Sequence, residues 1–110
     1  MMRGAPHIPT EAPRVTIYRG RGCHLCDVAR LQIRALQQTL PCHIEEIDIA
    51  TDPALERQYL LEIPVVAVAG RVVTQGAIDL GAVRQAILEA RLANLGDLGG
   101  TRPADPGTPH

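Results

Sequence analysis

The sequence predicts an α/β domain: four short strands in one mixed sheet, three helices on its faces, in the order βαβαββα. Three observations carry that expectation. Short β-branched runs alternate with segments whose apolar residues recur at helical spacing. Proline and glycine fall mainly between these segments and so punctuate them. The first strand–helix–strand unit should cross over right-handed, which makes its strands parallel, whereas the last two strands are joined by a hairpin turn.

The first strand is Val15-Thr16-Ile17-Tyr18, bounded by Pro13 and by the glycine-containing loop Arg19-Gly20-Arg21-Gly22. From His24 to about Gln38 the period changes. Ala29, Ile33, Leu36 and Leu40 recur at helical spacing, with Leu25 and Val28 on a neighbouring face and Arg30, Arg34, Gln37 and Gln38 toward solvent. Pro41 stops this helix. His43 to Ile49 reads as the second strand. Asp52-Pro53 starts a helix well: the carboxylate can accept from unpaired N–H groups, and proline has no N–H to lose. That helix should run to Leu60 or Leu61. After Pro64, Val65-Val66-Ala67-Val68 is continuously apolar, as a strand buried on both faces would be. Gly70-Arg71 turns into Val72-Val73-Thr74. A last helix spans about Asp79 to Ala93, with Leu80, Val83, Ile87 and Ala90 as its inner stripe.

The two ends differ from this middle. Residues 1–13 hold three prolines, and residues 94–110 hold four glycines and three prolines. Neither buries enough apolar surface to offset the entropy of ordering, so both are expected as disordered tails around a folded unit at 14–93.

Composition excludes several functions. The 110 residues suffice for one domain. Apolar residues make up 45%, yet there is no Phe, no Trp and only Tyr18 and Tyr59, so the core is built from Leu, Ile, Val and Ala. All eleven basic residues are Arg, and the formal net charge is −1. No basic field for a nucleic-acid backbone exists, and two aromatics make no base-stacking platform. No apolar run approaches the roughly 20 residues of a membrane span. Met1 to Pro13 lacks the apolar stretch of a secretory signal, so the expected compartment is cytoplasmic and reducing. Three cysteines cannot all pair within one chain, which argues against a secreted disulfide scaffold.

The cysteines have another explanation. Cys23-His24-Leu25-Cys26 is a C-x-x-C motif placed where the first strand gives way to the first helix. A helix N-terminus offers unpaired N–H groups and partial positive charge, which favour a thiolate. Residues three apart share a helix face, so Cys26 can reach back to Cys23. Cys23, at the open end, is then the candidate nucleophile toward a disulfide. Cys26, one turn in, is the candidate resolving thiol. Half of a zinc site is the competing reading, with Cys42 and His43 completing it. Those two are adjacent on a strand and point to opposite faces, which makes that set awkward.

Together with Ile47-Asp48-Ile49, Asp52-Pro53, Leu55 and Glu62-Ile63-Pro64-Val65-Val66, the motif makes residues 14–93 resemble the glutaredoxin-like branch of the thioredoxin superfamily. The resemblance implies a thioredoxin-like fold and a thiol–disulfide oxidoreductase active in electron transport. It implies that Ile63-Pro64 is cis and that Ile63 offers its backbone to an extended substrate, like one added strand. Arg21 stands near where glutaredoxins often carry a Lys, and could stabilise the thiolate or a substrate carboxylate. His24, when protonated, could lower the Cys23 pKa. The chain departs from the family in its His24-Leu25 pair, in Glu62-Ile63 before the proline, and in Gln75-Gly76-Ala77-Ile78-Asp79 where Gly-Gly-Asp is usual.

The implied partners are a disulfide-containing protein or low-molecular-weight thiol substrate and a reducing partner. The expectation is no bound cofactor, glutathione as a candidate co-substrate, and a chain acting as a monomer. Two alternatives stand beside this expectation: an iron–sulfur or metal binding module, and a non-enzymatic adaptor using the same scaffold. Cys42 reads as a small buried hydrophobe, Asp27 as a first-turn acid whose charge slightly opposes a low thiolate pKa, and Arg19 as a weaker cation candidate than Arg21.

Overall fold

The structure is a computed structural model and describes residues 8–98. Its elements follow the predicted order: β1 (Arg14–Arg19), α1 (His24–Gln37), β2 (His43–Asp48), α2 (Pro53–Tyr59), β3 (Val65–Val68), β4 (Arg71–Gln75) and α3 (Leu80–Leu98), with one 3-10 turn at Ile49–Thr51. The four strands form one mixed sheet in the order β2-β1-β3-β4. β1 and β2 are parallel, joined by α1, while β1–β3 and β3–β4 are antiparallel.

Alternation along the strands decides where the core lies. Val15 and Ile17 of β1 share a face with Val66 and Val68 of β3. Ile33 from α1 and Val83 and Ile87 from α3 close over them, and Leu40 and Cys42 belong to the same buried cluster. Each such aliphatic side chain taken from water contributes about 1.5–3 kcal/mol. The opposite face is covered more thinly. No residue of α2 is buried, and its Tyr59 ring lies 4.9 Å from Tyr18, centroid to centroid. β3, central in the sheet, is buried along its whole length, as its continuous apolar run required.

Local chemistry sets the element ends. Asp52 caps α2 by accepting from the Ala54 N–H at 2.9 Å, and Pro53 occupies the first turn. Asp79 caps α3 through the Ala82 N–H at 3.0 Å, while its own N–H donates to Thr74 Oγ1 at 3.2 Å. The β3–β4 hairpin turns on Ala69 and Gly70, both at positive φ (51° and 85°), the pattern of a type I′ turn.

The termini differ from expectation. α3 runs on to Leu98, past the predicted end at Ala93. Residues 8–13, assigned to a tail, are tied to the domain. Pro13 O accepts from the His43 N–H at 2.8 Å, Glu11 O accepts from Asn94 Nδ2 at 2.7 Å, and Pro13 is buried. Short backbone bonds of this kind leave no hydrophobic period for a sequence reading to find. The rest of both predicted tails, residues 1–7 and 99–110, lies outside the described residues. Among the described residues no helix is long and apolar enough to cross a membrane.

Candidate active site

The loop between β1 and α1 holds the cysteine pair. Gly22 takes φ 67°, a left-handed turn that glycine adopts without steric cost, and the chain then enters α1 at Cys23. Cys23 is the N-cap: its backbone is extended (φ −94°, ψ 104°) and its sulfur accepts from the Cys26 N–H at 3.1 Å. The place of a capping Ser or Asp oxygen is therefore taken by a sulfur. A thiolate there receives a hydrogen bond and the partial positive charge of the helix end, both of which favour the ionised form. Cys23 and Cys26 are joined as a disulfide with Cα atoms 5.2 Å apart. Cys26 is fully buried and Cys23 half-buried, so the accessible sulfur of the pair is that of Cys23.

The second part of the site is the segment entering β3. The Ile63–Pro64 peptide is cis, and Pro64 is fully buried. The Gly76 N–H is 2.9 Å from both Glu62 O and Pro64 O, which ties this segment to the end of β4. The antiparallel register pairs Tyr18 with Val65, and continuing it places Gly20 opposite Ile63. That contact is close: a Cβ on Gly20 would stand 2.7 Å from Ile63 Cδ1. Gly20 thus lets the two loops meet. The backbone N–H and C=O of Ile63 have no backbone partner among the described residues.

The structure therefore brings Cys23, Cys26, Ile63 and Pro64 to one end of the sheet. It places Arg21 and His24 differently. Arg21 is largely exposed and forms a solvated ion pair with Asp48, Nε to Oδ2 3.6 Å. His24 is exposed at the first position of α1. The cation built into the fold is Arg19, which donates to Asp27 Oδ1 at 2.9 Å and lies 3.7 Å from Glu46. Arg19 ranked below Arg21 in the sequence, and Glu46 had no place there. The available signal was register: parallel pairing puts Arg19 and Glu46 on the Ile17 face, the one that α1 covers. Gly20 was legible only as a loop residue.

Cys42 lies in the core cluster, and burial pushes its thiol up from 9.0 to about 11. Its neighbour His43 places Nε2 2.9 Å from Pro9 O. Cys42 and His43 therefore do not join Cys23 and Cys26 in a metal site. Among the described residues no group of three or more His, Cys, Asp or Glu is gathered to hold a metal ion.

Residues 14–93 match the family model described as glutaredoxin-like domain (DUF836). The chain belongs to this glutaredoxin-like family. Solved structures with the same fold include a Nitrosomonas europaea protein determined by solution NMR, 23% identical, with TM-score 0.64, covering 74% of this chain and 99% of that one. A mutant thioredoxin from Halobacterium salinarum is 19% identical, with TM-score 0.54 and coverage of 73% and 75%. Thioredoxin from Trypanosoma brucei brucei is 13% identical, with TM-score 0.56 and coverage of 74% and 77%. At these identities the likeness establishes the thioredoxin-like fold. No curated protein matches the chain.

Proposed function

We propose that this glutaredoxin-like domain is a thiol–disulfide oxidoreductase. The observation that carries the proposal is the Cys23–Cys26 pair at the start of α1, with the half-buried Cys23 sulfur accepting the Cys26 N–H.

In the reduced protein the Cys23 thiol loses its proton to solvent. The thiolate attacks one sulfur of a substrate disulfide. A Cys23–substrate disulfide forms as the substrate's S–S bond breaks, and the other substrate sulfur leaves as thiolate and takes up a proton. Cys26, deprotonated in turn, attacks the Cys23 sulfur. The mixed disulfide breaks, the second substrate thiol departs, and the Cys23–Cys26 disulfide remains. Two electrons have passed from the pair to the substrate. A second dithiol, or two equivalents of a monothiol such as glutathione, restores the reduced pair by the same exchange.

The unpaired backbone of Ile63 supports a place for the substrate. An extended segment laid along it would gain main-chain hydrogen bonds next to the cysteines. The reading includes a monomer acting in the cytoplasm on a disulfide-containing protein or a low-molecular-weight mixed disulfide.

Reduction of a model protein disulfide and of a glutathionylated peptide tests the proposal, with dithiothreitol or glutathione as electron source. Wild-type chain should accelerate one or both reactions, and Cys23→Ser should leave only the uncatalysed rate. Cys26→Ser should accumulate the covalent Cys23–substrate adduct, seen by mass spectrometry. Equal rates for wild type and Cys23→Ser would reject the enzyme.

A further inference from the structure

An ion network begins at Asp27, the residue after Cys26. Arg19 Nη2 donates to Asp27 Oδ1 at 2.9 Å, and Arg19 Nη1 lies 3.7 Å from Glu46 Oε1. The same Glu46 carboxylate meets Arg34 at 3.1 Å and Arg30 at 3.8 Å. Three guanidinium groups thus serve two carboxylates. Arg19 is the least exposed of the three, at 21% against 35% for Arg30 and 50% for Arg34. Exposed ion pairs contribute little, so Arg19 is the member whose charge is felt most.

The position of Asp27 poses an electrostatic problem. Its backbone N–H donates to Cys23 O at 3.1 Å, which places it in the first turn of α1. An anion there stabilises a helix, but it competes with the Cys23 sulfur for the same helix-end field. A like charge nearby disfavours the thiolate. Arg19 meets Asp27 from the end of β1 and is held in turn by Glu46 of β2, so the neutralising charge is anchored in the sheet.

We propose that Arg19 is a positioning residue for the exchange reaction: it holds the Asp27 carboxylate between β1 and α1 and so keeps that charge from turning toward a thiolate on Cys23. This rests on the oxidoreductase reading of the cysteine pair. It assigns a task to the ion pair, where the sequence offered Arg19 only as a lesser cation than Arg21 and Asp27 only as an opposing charge. The other charged or titratable groups of the segments meeting at this end of the sheet include His24 on α1, Tyr18 on β1, Tyr59 at the end of α2, the Arg21–Asp48 pair, Glu62 before Pro64 and Asp79 before α3. They are unchanged in every variant below, so their contribution cancels.

The test is a double-mutant cycle on the full-length reduced protein, with wild type, Arg19→Gln, Asp27→Asn and the double variant. Alkylation of Cys23 by iodoacetamide is followed by mass spectrometry across pH, beside thiolate ultraviolet absorbance. Below its midpoint, Cys23 in Arg19→Gln should alkylate about two- to five-fold more slowly than in wild type. In the Asp27→Asn background the same substitution should have no effect, and Arg19→Lys should keep most of the wild-type rate. Should Arg19→Gln not fold, Arg19→Met keeps the aliphatic stem and takes its place in the cycle. An unchanged rate on removing Arg19 overturns the proposal. So does an equal loss with and without Asp27, which would make Arg19 a direct partner of the sulfur. An acidic wild-type Cys23 with a flat cycle rejects only the role of Arg19. Loss of the exchange reading itself would show separately, as a wild-type chain that reduces no disulfide.

Discussion

Cys23 and Cys42 carry the same side chain into opposite surroundings. Cys23 caps α1, is half-buried, and has an N–H of the helix pointing at its sulfur. Cys42 enters β2 inside a cluster of Val15, Ile17, Ile33, Val66 and Ile87, where burial pushes its thiol up to about 11. The helix mouth stabilises an anionic sulfur, and the apolar interior penalises one. A cysteine's reactivity in this chain is therefore set by its address. One helix joins the two environments: α1 presents sulfur at its first turn and Ile33 to the core two turns further on.

The largest effect that could break this contrast is at Cys23. Cys23→Ser should abolish disulfide reduction, whereas Cys42→Ser should retain it in whatever fraction folds, as measured by turnover per folded molecule. Comparable losses at both sites would mean that the interior thiol takes part.

Next comes Ile33→Ala, which opens a cavity where α1 meets the sheet. It should cost about 2–5 kcal/mol in urea unfolding and leave the alkylation rate of Cys23 near wild type. A large change in that rate would show that core packing and thiol chemistry along α1 are not separable.

A pH experiment then probes Cys42 directly. Below about pH 9 its thiol is neutral in both folded and unfolded chains, and burial costs nothing extra. As pH rises from 9.0 toward about 11 the unfolded thiol ionises while the folded one cannot, so stability falls. The loss should reach about 2–3 kcal/mol. Cys42→Ala lacks this component, so its stability relative to wild type should improve by that amount over the same window, in denaturant titrations at each pH. A constant gap between the two proteins would contradict the buried-thiol description.

The smallest expected effect is at Gly20→Ala. Its new methyl meets Ile63 Cδ1, the far end of a flexible side chain, and a small rotation relieves the clash. Unfolding should shift by about 1 kcal/mol or less. The KM for a protein disulfide should rise, because Ile63 has moved, and Ile63→Ala added to Gly20→Ala should restore it. No change in KM would remove Ile63 from the substrate surface.

Most of the architecture was legible because its signals are local. Asp52-Pro53 announced α2, the Val65–Val68 run announced a central strand, and Gly22 before Cys23 announced the turn into α1. The βαβαββα order followed from these together, and the family from the resemblance carried by Cys23-His24-Leu25-Cys26 and Glu62-Ile63-Pro64-Val65-Val66. What was not legible depends on register or on single long-range bonds. The Arg19–Asp27–Glu46 chain exists because parallel pairing brings Arg19 and Glu46 onto the face that α1 covers. The closeness of Gly20 to Ile63 follows from antiparallel pairing of β1 with β3. Arg21 looked the better cation by sequence distance, but the fold turns it to Asp48 and solvent. α3 outran its predicted end because tail composition outweighed helical period from Asn94 onward.

The tyrosine contact has an optical consequence. The chain holds two tyrosines and no tryptophan, and both rings lie together where the end of β1 meets α2. Ultraviolet emission from this protein therefore originates at one spot, where Tyr18 stands five residues before Cys23. No indole elsewhere drains that light by energy transfer. That emission reports on the end of β1, from which the loop that carries Cys23 leads directly.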